Sequence, residues 1–274
     1  MAVVIFDIDG VVRDVGGSYR RALADTVEHF TQGSYRPTPE EIDRLKSEGL
    51  WNNDWEASQE LIRRHLTTQK LAAQKLEFIS QNPDQSSDQN LAKSPASYRE
   101  IVQFFQSRYR GTDPENWDGY ICSEPLLVEP EYFENLTRSQ IKWGFFSGAT
   151  RASAEFVLQR RLGLVSPILV AMEDAPGKPD PAGLWQTLEQ LNPEITEPII
   201  YVGDTVADMY TVNNARQQQP TRTLLGVGVL PPHVQEVPEI SQAYTETLKA
   251  AGALLILVNM QELTPDLIEN LSKT

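Results

Sequence analysis

The sequence predicts an α/β fold in which a parallel sheet, covered by helices on both faces, is interrupted by a helical insertion. From about residue 142 onward, short apolar runs alternate with helical patterns, which is typical of a parallel sheet. An apolar, β-branched strand is also predicted over residues 2–6, and it has no partner strand nearby in sequence. Residues 18–109, which lie between, show helical periodicity and almost no strand pattern. The simplest arrangement places the first strand in the later sheet, so that the helical block is inserted.

The core sheet is predicted to contain five further strands, each a short apolar run. These strands cover residues 143–147, 168–170, 199–202, 223–227 and 253–258. The helices of this core cover residues 152–162, 181–191, 206–215 and a last segment from residue 265. The predicted core therefore comprises residues 1–14 and 120–274, and the helical insertion comprises residues 15–119.

The insertion is predicted to be helical apart from one polar segment. Its clearest helix start is Thr38-Pro39-Glu40-Glu41, which combines a potential Thr N-cap, a proline at the first helical position and a glutamate at the third. The predicted helices cover residues 18–30, 39–47, 55–65, 69–79 and 97–109. Residues 82–95 are rich in Asp, Gln, Ser and Asn, and this composition predicts a surface loop.

The composition of the 274-residue chain excludes several classes of partner. Its formal net charge is −14, from 24 basic and 38 acidic residues, so nucleic acid and anionic membranes are not expected as partners. A small phosphorylated metabolite is compatible, because a bound metal ion and a few cations can reverse the charge locally. The single cysteine, the absence of a long apolar run and the absence of a visible signal peptide lead us to expect a cytoplasmic protein. The sequence leaves monomer and homodimer open.

Chemically active side chains follow the predicted strands at the point where each strand ends. The first strand is followed by Asp7-Ile8-Asp9-Gly10, and the second is followed by Ser147-Gly148. Lys178 lies in the loop after the third strand, and Asp204 follows the fourth, with Asp208 one helical turn later. Because ligands bind outside the carboxyl ends of the strands in open α/β sheets, we expect these residues to converge.

This set of residue types suits the transfer of a phosphoryl group. The substrate is an anion that a hard cation must neutralise, and Asp7 and Asp204 offer the carboxylate oxygens that Mg²⁺ prefers. Asp7 is the expected nucleophile and forms an acyl phosphate. Asp9 is placed to protonate the leaving oxygen and then to deprotonate water. Lys178 is expected to offset the charge on the nucleophile and on the phosphoryl oxygens.

Four further residues lie near these strand ends, and three of them have more than one interpretation. The Ser147 hydroxyl and the Gly148 amide, at a helix start, would bind a phosphoryl oxygen. Ser147 is also compatible with the role of N-cap. Arg151 is either a phosphate-binding cation or an ordinary surface arginine. Asp208 either binds the metal through water, orients Lys178 or caps its helix.

Together, these residues resemble the four signature motifs of the haloacid dehalogenase-like hydrolase superfamily. The motifs are Asp7-Ile8-Asp9-Gly10-Val11, Ser147, Lys178-Pro179 and Gly203-Asp204-x-x-x-Asp208, in family order and with family-like gaps. The resemblance implies a Rossmann-like parallel sheet core with an inserted α-helical cap domain, a Mg²⁺ cofactor and an aspartyl-phosphate intermediate. It also implies that the main-chain carbonyl of Asp9 is a metal ligand, so the candidate ligands are Asp7, Asp9, Asp204 and Asp208. The insertion has the position of the cap in the phosphoglycolate-phosphatase-like subgroup.

The segment after the first motif departs from that subgroup. It reads Val11-Val12-Arg13-Asp14-Val15-Gly16-Gly17, where common members carry Thr-Leu-x-Asp-Ser. The Gly16-Gly17 pair is either a hinge or a simple turn. Arg13, Arg20 and Arg21 either bind a second anionic group or are ordinary helix-surface arginines. Residues 51–55, which include two tryptophans, either contact the substrate or pack the core of the cap.

The sequence therefore predicts a magnesium-dependent phosphatase that acts on a small organic phosphate monoester. Asp9 favours phosphate esters, because the resemblance implies that dehalogenase-type members use no acid there and that phosphonate-cleaving members carry a small residue. A phosphomutase with the same four motifs is the first alternative, and a non-catalytic phosphate-binding protein is the second. A sugar phosphate, phosphoglycolate and an amino-alcohol phosphate such as histidinol phosphate remain open as substrates.

Overall fold

The computed structural model of the chain describes residues 2–46, 48, 50–51, 53–79 and 97–273. The chain divides into two compact units, a core unit of Met1–Val15 with Glu124–Thr274 and a helical unit of Gly16–Ser123. The predicted polar loop over residues 82–95 lies outside the described residues. No described helix combines the length and the apolar character that crossing a membrane requires.

The core unit contains a six-stranded parallel sheet, which confirms the predicted α/β class. The strands are β1 Val3–Phe6, β2 Lys142–Phe146, β3 Leu169–Val170, β4 Ile199–Gly203, β5 Leu224–Val229 and β6 Leu255–Leu257. Their order across the sheet is β3-β2-β1-β4-β5-β6. β1, which precedes the helical unit in sequence, therefore lies at the centre of the sheet between β2 and β4. The strands β2 to β6 all follow the helical unit in sequence.

The helices belong to both units. Those described in the helical unit are α1 Tyr19–Phe30, α2 Pro39–Lys46, α3 Asp54–Ile79 and α4 Tyr98–Tyr109, with a 3₁₀ turn at Tyr120–Ser123. Those described in the core unit are α5 Pro130–Arg138, α6 Arg151–Glu155, α7 Ala182–Leu191, α8 Val206–Gln218, α9 Pro232–Gln235, α10 Pro238–Ala250 and α11 Pro265–Leu271. A π-helical segment, Phe156–Arg161, continues α6, and a second 3₁₀ turn covers Met260–Glu262.

The central strand β1 is buried on both faces because all four of its side chains are apolar. Val3 and Ile5 lie in a core cluster with Leu184 of α7. Phe6 points to the other face, where its ring meets the ring of Phe133 of α5 edge-on with 5.7 Å between centroids. Burying a side chain of this size stabilises a fold by roughly 1.5–3 kcal/mol. The continuous apolar run thus fixes β1 between two layers of helices.

The register of β1 determines what lies at the edge of the sheet. Phe6 is paired with Phe145 of β2 on one side and with Val202 of β4 on the other. The residues that follow these three positions therefore emerge at the same level. This places Asp7 beside the end of β4.

The helical unit has its own apolar core. Leu23 and Val27 of α1 and Ile101 and Phe105 of α4 are all buried. The N-terminus of α4 is closed by a capping box, in which Ser97 accepts from the Glu100 amide and the Glu100 side chain accepts from the Ser97 amide.

The prediction of two helices over residues 55–65 and 69–79 is wrong, because α3 runs without interruption from Asp54 to Ile79. The predicted break falls at two threonines, a residue type with low intrinsic helix propensity. Their hydroxyls donate to main-chain carbonyls one turn back, Thr67 to Arg63 at 2.7 Å and Thr68 to Arg64 at 3.0 Å. These bonds satisfy the hydroxyl groups inside the helix, so the helix does not end there.

Other differences concern helices that were not predicted. The helices α5, α9 and α10 are absent from the sequence prediction, although they begin with Pro130, Pro232 and Pro238. Proline at the first helical position is the same signal that indicated the start of α2 at Pro39. The sequence prediction therefore missed this signal at three sites.

We expect Gly183→Ala to destabilise the core unit. A Cβ atom on Gly183, in α7, would lie 2.1 Å from Cε2 and 2.5 Å from Cζ of the buried Phe146 ring. Overpacking of this kind costs about 1–3 kcal/mol, which outweighs the gain of about 1 kcal/mol in helix propensity. Urea unfolding measures the change, and Gln190→Ala, at an exposed position of the same helix, is the control. Equal stability of the two variants would contradict the close packing of α7 on β2.

Candidate active site

Two aspartates follow neighbouring strands at the centre of the sheet. Asp7 continues β1, and its amide donates to the Val202 carbonyl of β4 at 2.8 Å. Asp204 follows Gly203, the last residue of β4. Because β1 and β4 are adjacent and parallel, both carboxylates lie at one edge of the sheet. This is the edge at which open α/β sheets bind their ligands.

Three carboxylates come close together at this edge. One carboxylate oxygen from each of Asp7, Asp204 and Asp208 lies within 4.8 Å of the others. Asp7 is only 6% exposed and Asp208 is fully buried. Like charges held this close and partly out of water repel one another, and a divalent cation would relieve the repulsion. The all-oxygen donor set is the kind that Mg²⁺ prefers, so these residues fit that ion.

Lys178 is the cation of this cluster. Its Nζ lies 2.8 Å from Asp7 Oδ2 and 2.6 Å from Asp208 Oδ1. The ammonium group also lies over two aromatic rings, 5.4 Å from the centroid of Phe146 and 5.6 Å from that of Tyr201. Contacts with aromatic faces are favourable for a cation. The lysine is therefore held against Asp7 from several sides.

The pKa values reflect the excess of negative charge. Burial, followed by the charges of Asp208 and Asp9, raises the pKa of Asp7 to about 7, although Lys178 opposes the shift. Burial also raises the pKa of Asp204, as does the charge of Asp208. For Lys178, burial lowers the pKa, but the two carboxylates it contacts outweigh burial and the net direction is upward. Lys178 therefore remains positively charged near neutral pH, and additional positive charge nearby would favour the ionised forms of Asp7 and Asp204.

The carboxylate of Asp208 is bound on both oxygens by protein donors. Oδ1 accepts from Lys178 and lies 3.1 Å from the Tyr201 hydroxyl. Oδ2 accepts from the amide and the hydroxyl of Thr205 at 2.9 and 2.6 Å, as part of a capping box at the start of α8. Of the three interpretations of Asp208, these contacts support orientation of Lys178 and capping of the helix. Metal contact through a water molecule stays a prediction.

Two glycines make room for these carboxylates. A Cβ on Gly10 would lie 2.0 Å from Asp204 Oδ2, and Gly10 also has a φ of +73°, which side chains rarely adopt. A Cβ on Gly203 would lie 2.3 Å from Asp208 Cγ. The glycines of the two motifs are therefore required because the carboxylates pass directly over the main chain.

Asp9 lies beside the cluster and is held by an arginine. Its side chain is 29% exposed, and Oδ1 accepts from Arg13 Nε at 2.7 Å. The Arg13 side chain is fully buried and lies in the turn after β1. The interpretation of Arg13 as a helix-surface arginine is therefore wrong. The sequence prediction also missed Tyr201 and Thr205, whose contacts with Asp208 required knowledge of the side-chain directions at the end of β4.

Ser147 and Gly148 follow β2 at the same edge of the sheet. Ser147 is 1% exposed, and its Oγ accepts from the Ala149 amide at 3.1 Å. Gly148 is exposed, and a Cβ on it would meet no atom within 4 Å. The N-cap of α6 is Thr150, so the helix begins at Arg151, one residue before the predicted start at residue 152. Ser147 thus stabilises the turn before the helix rather than capping the helix itself.

The guanidinium of Arg151 is engaged away from the carboxylate cluster. It forms ion pairs with Asp174 and with Glu155, the latter at 3.3 Å, and it lies 3.3 Å from the Leu169 carbonyl. These contacts support the interpretation of Arg151 as a structural arginine that ties α6 to β3 and the loop after it. Phosphate binding by Arg151 would require exchange of these contacts and stays a prediction.

The candidate residues of the helical unit have partners within that unit. Arg20 pairs with Asp43, and the Arg21 guanidinium lies 4.2 Å from the centroid of the Tyr120 ring. In the segment 51–55, where Asn52 lies outside the described residues, Trp51 Nε1 donates to Glu48 at 3.0 Å. These contacts account for the three side chains inside the helical unit, and their roles in substrate binding stay predictions.

Comparison with a family model identifies the relationship that the motifs suggested. The model described as "Hydrolase: haloacid dehalogenase-like hydrolase" matches residues 1–216, which is more than half of the chain.

Solved structures share the fold at low sequence identity. Phosphatase Tt82 from Thermococcus thioreducens is 23% identical with a TM-score of 0.62, covering 88% of this chain and 98% of that one. The structure of a putative beta-phosphoglucomutase from Thermotoga maritima is 18% identical with a TM-score of 0.56, covering 100% of this chain and 99% of that one. These two proteins are named as a phosphatase and as a mutase, so the fold by itself does not separate the two activities.

A curated relative carries a different kind of name. The protein named imidazoleglycerol-phosphate dehydratase from Phytophthora nicotianae is 27% identical over 259 residues, which is 93% of this chain. The match covers 49% of that relative, so the chain spans about half of its length.

The raised pKa of Asp7 predicts a pH-dependent stability in protein treated with a chelator. The pKa of Asp7 is about 7 in the folded state, and the ordinary value, which applies to the unfolded chain, is 3.8. At a pH between these two values, the folded state retains a proton that the unfolded chain has released. Stability contributed by this proton is present below pH 3.8 and is lost as the pH rises through about 7. In thermal unfolding with EDTA, the Tm should therefore fall more steeply between pH 4 and pH 7.5 for the unmodified protein than for Asp7→Asn.

A matched control removes one carboxylate elsewhere. Asp266→Asn changes the net charge by the same amount at an exposed position of α11. It should leave the dependence of Tm on pH unchanged. If Asp7→Asn and Asp266→Asn gave the same slope, the proton would not be held at Asp7.

Proposed function

Because the chain belongs to the haloacid dehalogenase-like hydrolase family, we propose that it hydrolyses small organic phosphate monoesters in a magnesium-dependent reaction through an aspartyl-phosphate on Asp7. The observation that carries this proposal is the position of Asp7 at the end of β1, with Lys178 Nζ 2.8 Å from its carboxylate. The carboxylates of Asp204 and Asp208 lie close enough to share one cation with Asp7.

The proposed metal site consists of carboxylates of the cluster and one main-chain carbonyl. Asp7 and Asp204 would hold Mg²⁺ through carboxylate oxygens, and Asp9 would hold it through its main-chain carbonyl. Asp208 would act through a water molecule or through Lys178. When bound, the ion supplies positive charge that neutralises the phosphoryl group and lets the carboxylates ionise together.

The first chemical step is attack by Asp7. A carboxylate oxygen of Asp7 forms a bond to phosphorus while the bond from phosphorus to the leaving oxygen breaks. Asp9 donates its proton to that oxygen, so the product leaves as an alcohol. Lys178 offsets negative charge on the Asp7 carboxylate and on the phosphoryl oxygens. The Ser147 hydroxyl and the Gly148 amide bind another phosphoryl oxygen.

The second step regenerates Asp7. Asp9, now ionised, removes a proton from a water molecule, and the water oxygen attacks the phosphorus of the acyl phosphate. The bond between phosphorus and the Asp7 oxygen breaks, and inorganic phosphate leaves. Asp9 ends the cycle protonated and ready for the next leaving group. One residue thus serves as acid and then as base, which requires that its carboxylate keep a defined position through both steps.

The substrate is proposed only as a class. A sugar phosphate, phosphoglycolate and an amino-alcohol phosphate all meet the requirements of the site. The Phytophthora relative is named for an imidazole-bearing phosphate ester, and this chain aligns with about half of it. Imidazole-bearing phosphate esters therefore belong in a substrate panel beside the other classes. A phosphomutase would instead return the phosphoryl group to a second position of the product.

We expect the purified protein to release inorganic phosphate from at least one ester of such a panel with Mg²⁺, and to release none in EDTA. Asp7→Asn should lower the rate by at least about a thousandfold, because loss of a nucleophile removes the covalent route. Phosphate release is followed colorimetrically, and isomer formation is followed by NMR. Formation of an isomer without phosphate would identify a mutase, and near-normal turnover by Asp7→Asn would remove Asp7 as the nucleophile.

Substitution of Asp9 should affect substrates unequally. Loss of a general acid costs roughly 10²–10⁴-fold where the leaving group needs a proton. Asp9→Asn should therefore slow an alkyl phosphate far more than 4-nitrophenyl phosphate, whose leaving group departs as a stable anion. The ratio of the two kcat/KM values measures this difference. A loss of equal size on both substrates would argue against the acid role.

A further inference from the structure

Arg13 is a fully buried arginine with two carboxylate partners in the core unit. Arginine is among the residues that are almost never fully buried unless they are paired. Here Nε and Nη2 contact Asp9 Oδ1 at 2.7 and 2.6 Å, and Nη1 contacts Glu124 Oε2 at 2.8 Å. The Glu124 side chain is 1% exposed. One guanidinium thus bridges the partly exposed Asp9 and a carboxylate in the interior.

The main chain fixes the position from which Arg13 reaches these partners. On one side, its carbonyl accepts from the Gly10 amide at 2.9 Å and its amide donates to the Ile8 carbonyl at 3.2 Å, which closes the turn after β1. On the other side, the Asp14 amide donates to the Pro125 carbonyl at 2.9 Å. Arg13 is therefore tied both to the turn that carries Asp9 and to the segment that carries Glu124.

These observations assign to Arg13 a positioning role: we infer that Arg13, anchored by Glu124, holds the carboxylate of Asp9 in the orientation in which it exchanges protons with the leaving group and with water. This inference rests on the proposed function of Asp9 as acid and base. Both guanidinium contacts fall on Oδ1, and within the described part of the chain no hydrogen bond is made by Oδ2. Oδ2 is then the oxygen that carries the exchanged proton.

The shape of the guanidinium explains why an arginine is used. Its planar group presents several N–H donors in a fixed fork, so two nitrogens can hold Asp9 while a third holds Glu124. A lysine ammonium is a compact charge on a flexible stem and does not reproduce this geometry. Arginine also remains charged at all relevant pH values, so the contact with Asp9 persists while Asp9 gains and loses its proton.

The test compares two aromatic phosphates of similar size that differ in their leaving group. These are 4-nitrophenyl phosphate, a good leaving group, and benzyl phosphate, a poor one. The double variant Arg13→Gln/Glu124→Gln removes both charges, so neither is left buried without its partner. We expect its kcat/KM to fall at least about tenfold more on benzyl phosphate than on 4-nitrophenyl phosphate, because misplacement of an acid matters only where a proton is needed. Circular dichroism and thermal unfolding verify that the variant is folded.

The control is an ion pair in the same unit that is remote from Asp9. Lys142 Nζ lies 3.3 Å from Glu197 Oε2. Lys142 is the first residue of β2 and lies at the opposite end of this strand from Ser147. Lys142→Gln/Glu197→Gln should leave the ratio of the two substrates unchanged. Equal losses on both substrates in the Arg13 variant would overturn the positioning role. The ratio of the two kcat/KM values for Arg13→Lys should lie between the ratios for the unmodified protein and the double variant. An unchanged ratio in Arg13→Lys would also overturn the positioning role.

A double-mutant cycle shows whether Arg13 acts through Asp9. In the Asp9→Asn background, adding Arg13→Gln/Glu124→Gln should change the ratio by less than about threefold, because the group being positioned is already lost. If the double substitution changed this ratio as much in the Asp9→Asn background as in the unmodified protein, the inference would be contradicted. An unmodified protein without Mg²⁺-dependent phosphate release would instead contradict the proposed function, and this outcome is distinguishable because it needs no Arg13 variant.

Discussion

The concentration of negative charge at the end of β1 and β4 is the constraint on which the rest of the site depends. Asp7, Asp204 and Asp208 are held with oxygens within 4.8 Å of one another, and one ammonium group contacts two of them. Such a cluster is unfavourable in a poorly hydrated place without further positive charge. The fold nevertheless retains it, which is consistent with the proposed binding of a cation and a phosphate ester at this edge of the sheet.

The surrounding residues hold this charge in place. Tyr201 and Thr205 bind the two oxygens of Asp208, so the residue that contacts Lys178 cannot rotate freely. Gly10 and Gly203 leave space in which carboxylates lie against the main chain. These supporting residues lie within the first and fourth motifs or within two residues of them in sequence. Many residues of the short loops after β1 and β4 are therefore needed to hold the carboxylates in place.

The family resemblance, the α/β class and the membership of the first strand in the later sheet were predicted from the sequence. The four motifs carried the resemblance, and an apolar strand without a local partner had to pair elsewhere. The central position of that strand came only from the structure. Helix interruptions were harder to predict. The threonines of α3 look like a break in sequence but bond back to carbonyls of their own helix. The proline starts of α5, α9 and α10 were present in the sequence but were not used in the prediction. Arg13 was misinterpreted because its partner Glu124 lies 111 positions away in the chain.

The sequence by itself determined which residue types follow which strands, because apolar periodicity and the order of the motifs are local properties. It thereby determined the kind of chemistry that the chain can support. Only the tertiary structure decided which donors each carboxylate binds: Asp208 with Tyr201 and Thr205, Asp9 with Arg13, and Arg151 with acids away from the cluster. The physical reason is that hydrogen-bond partners are selected by side-chain direction and burial, which depend on how distant segments pack.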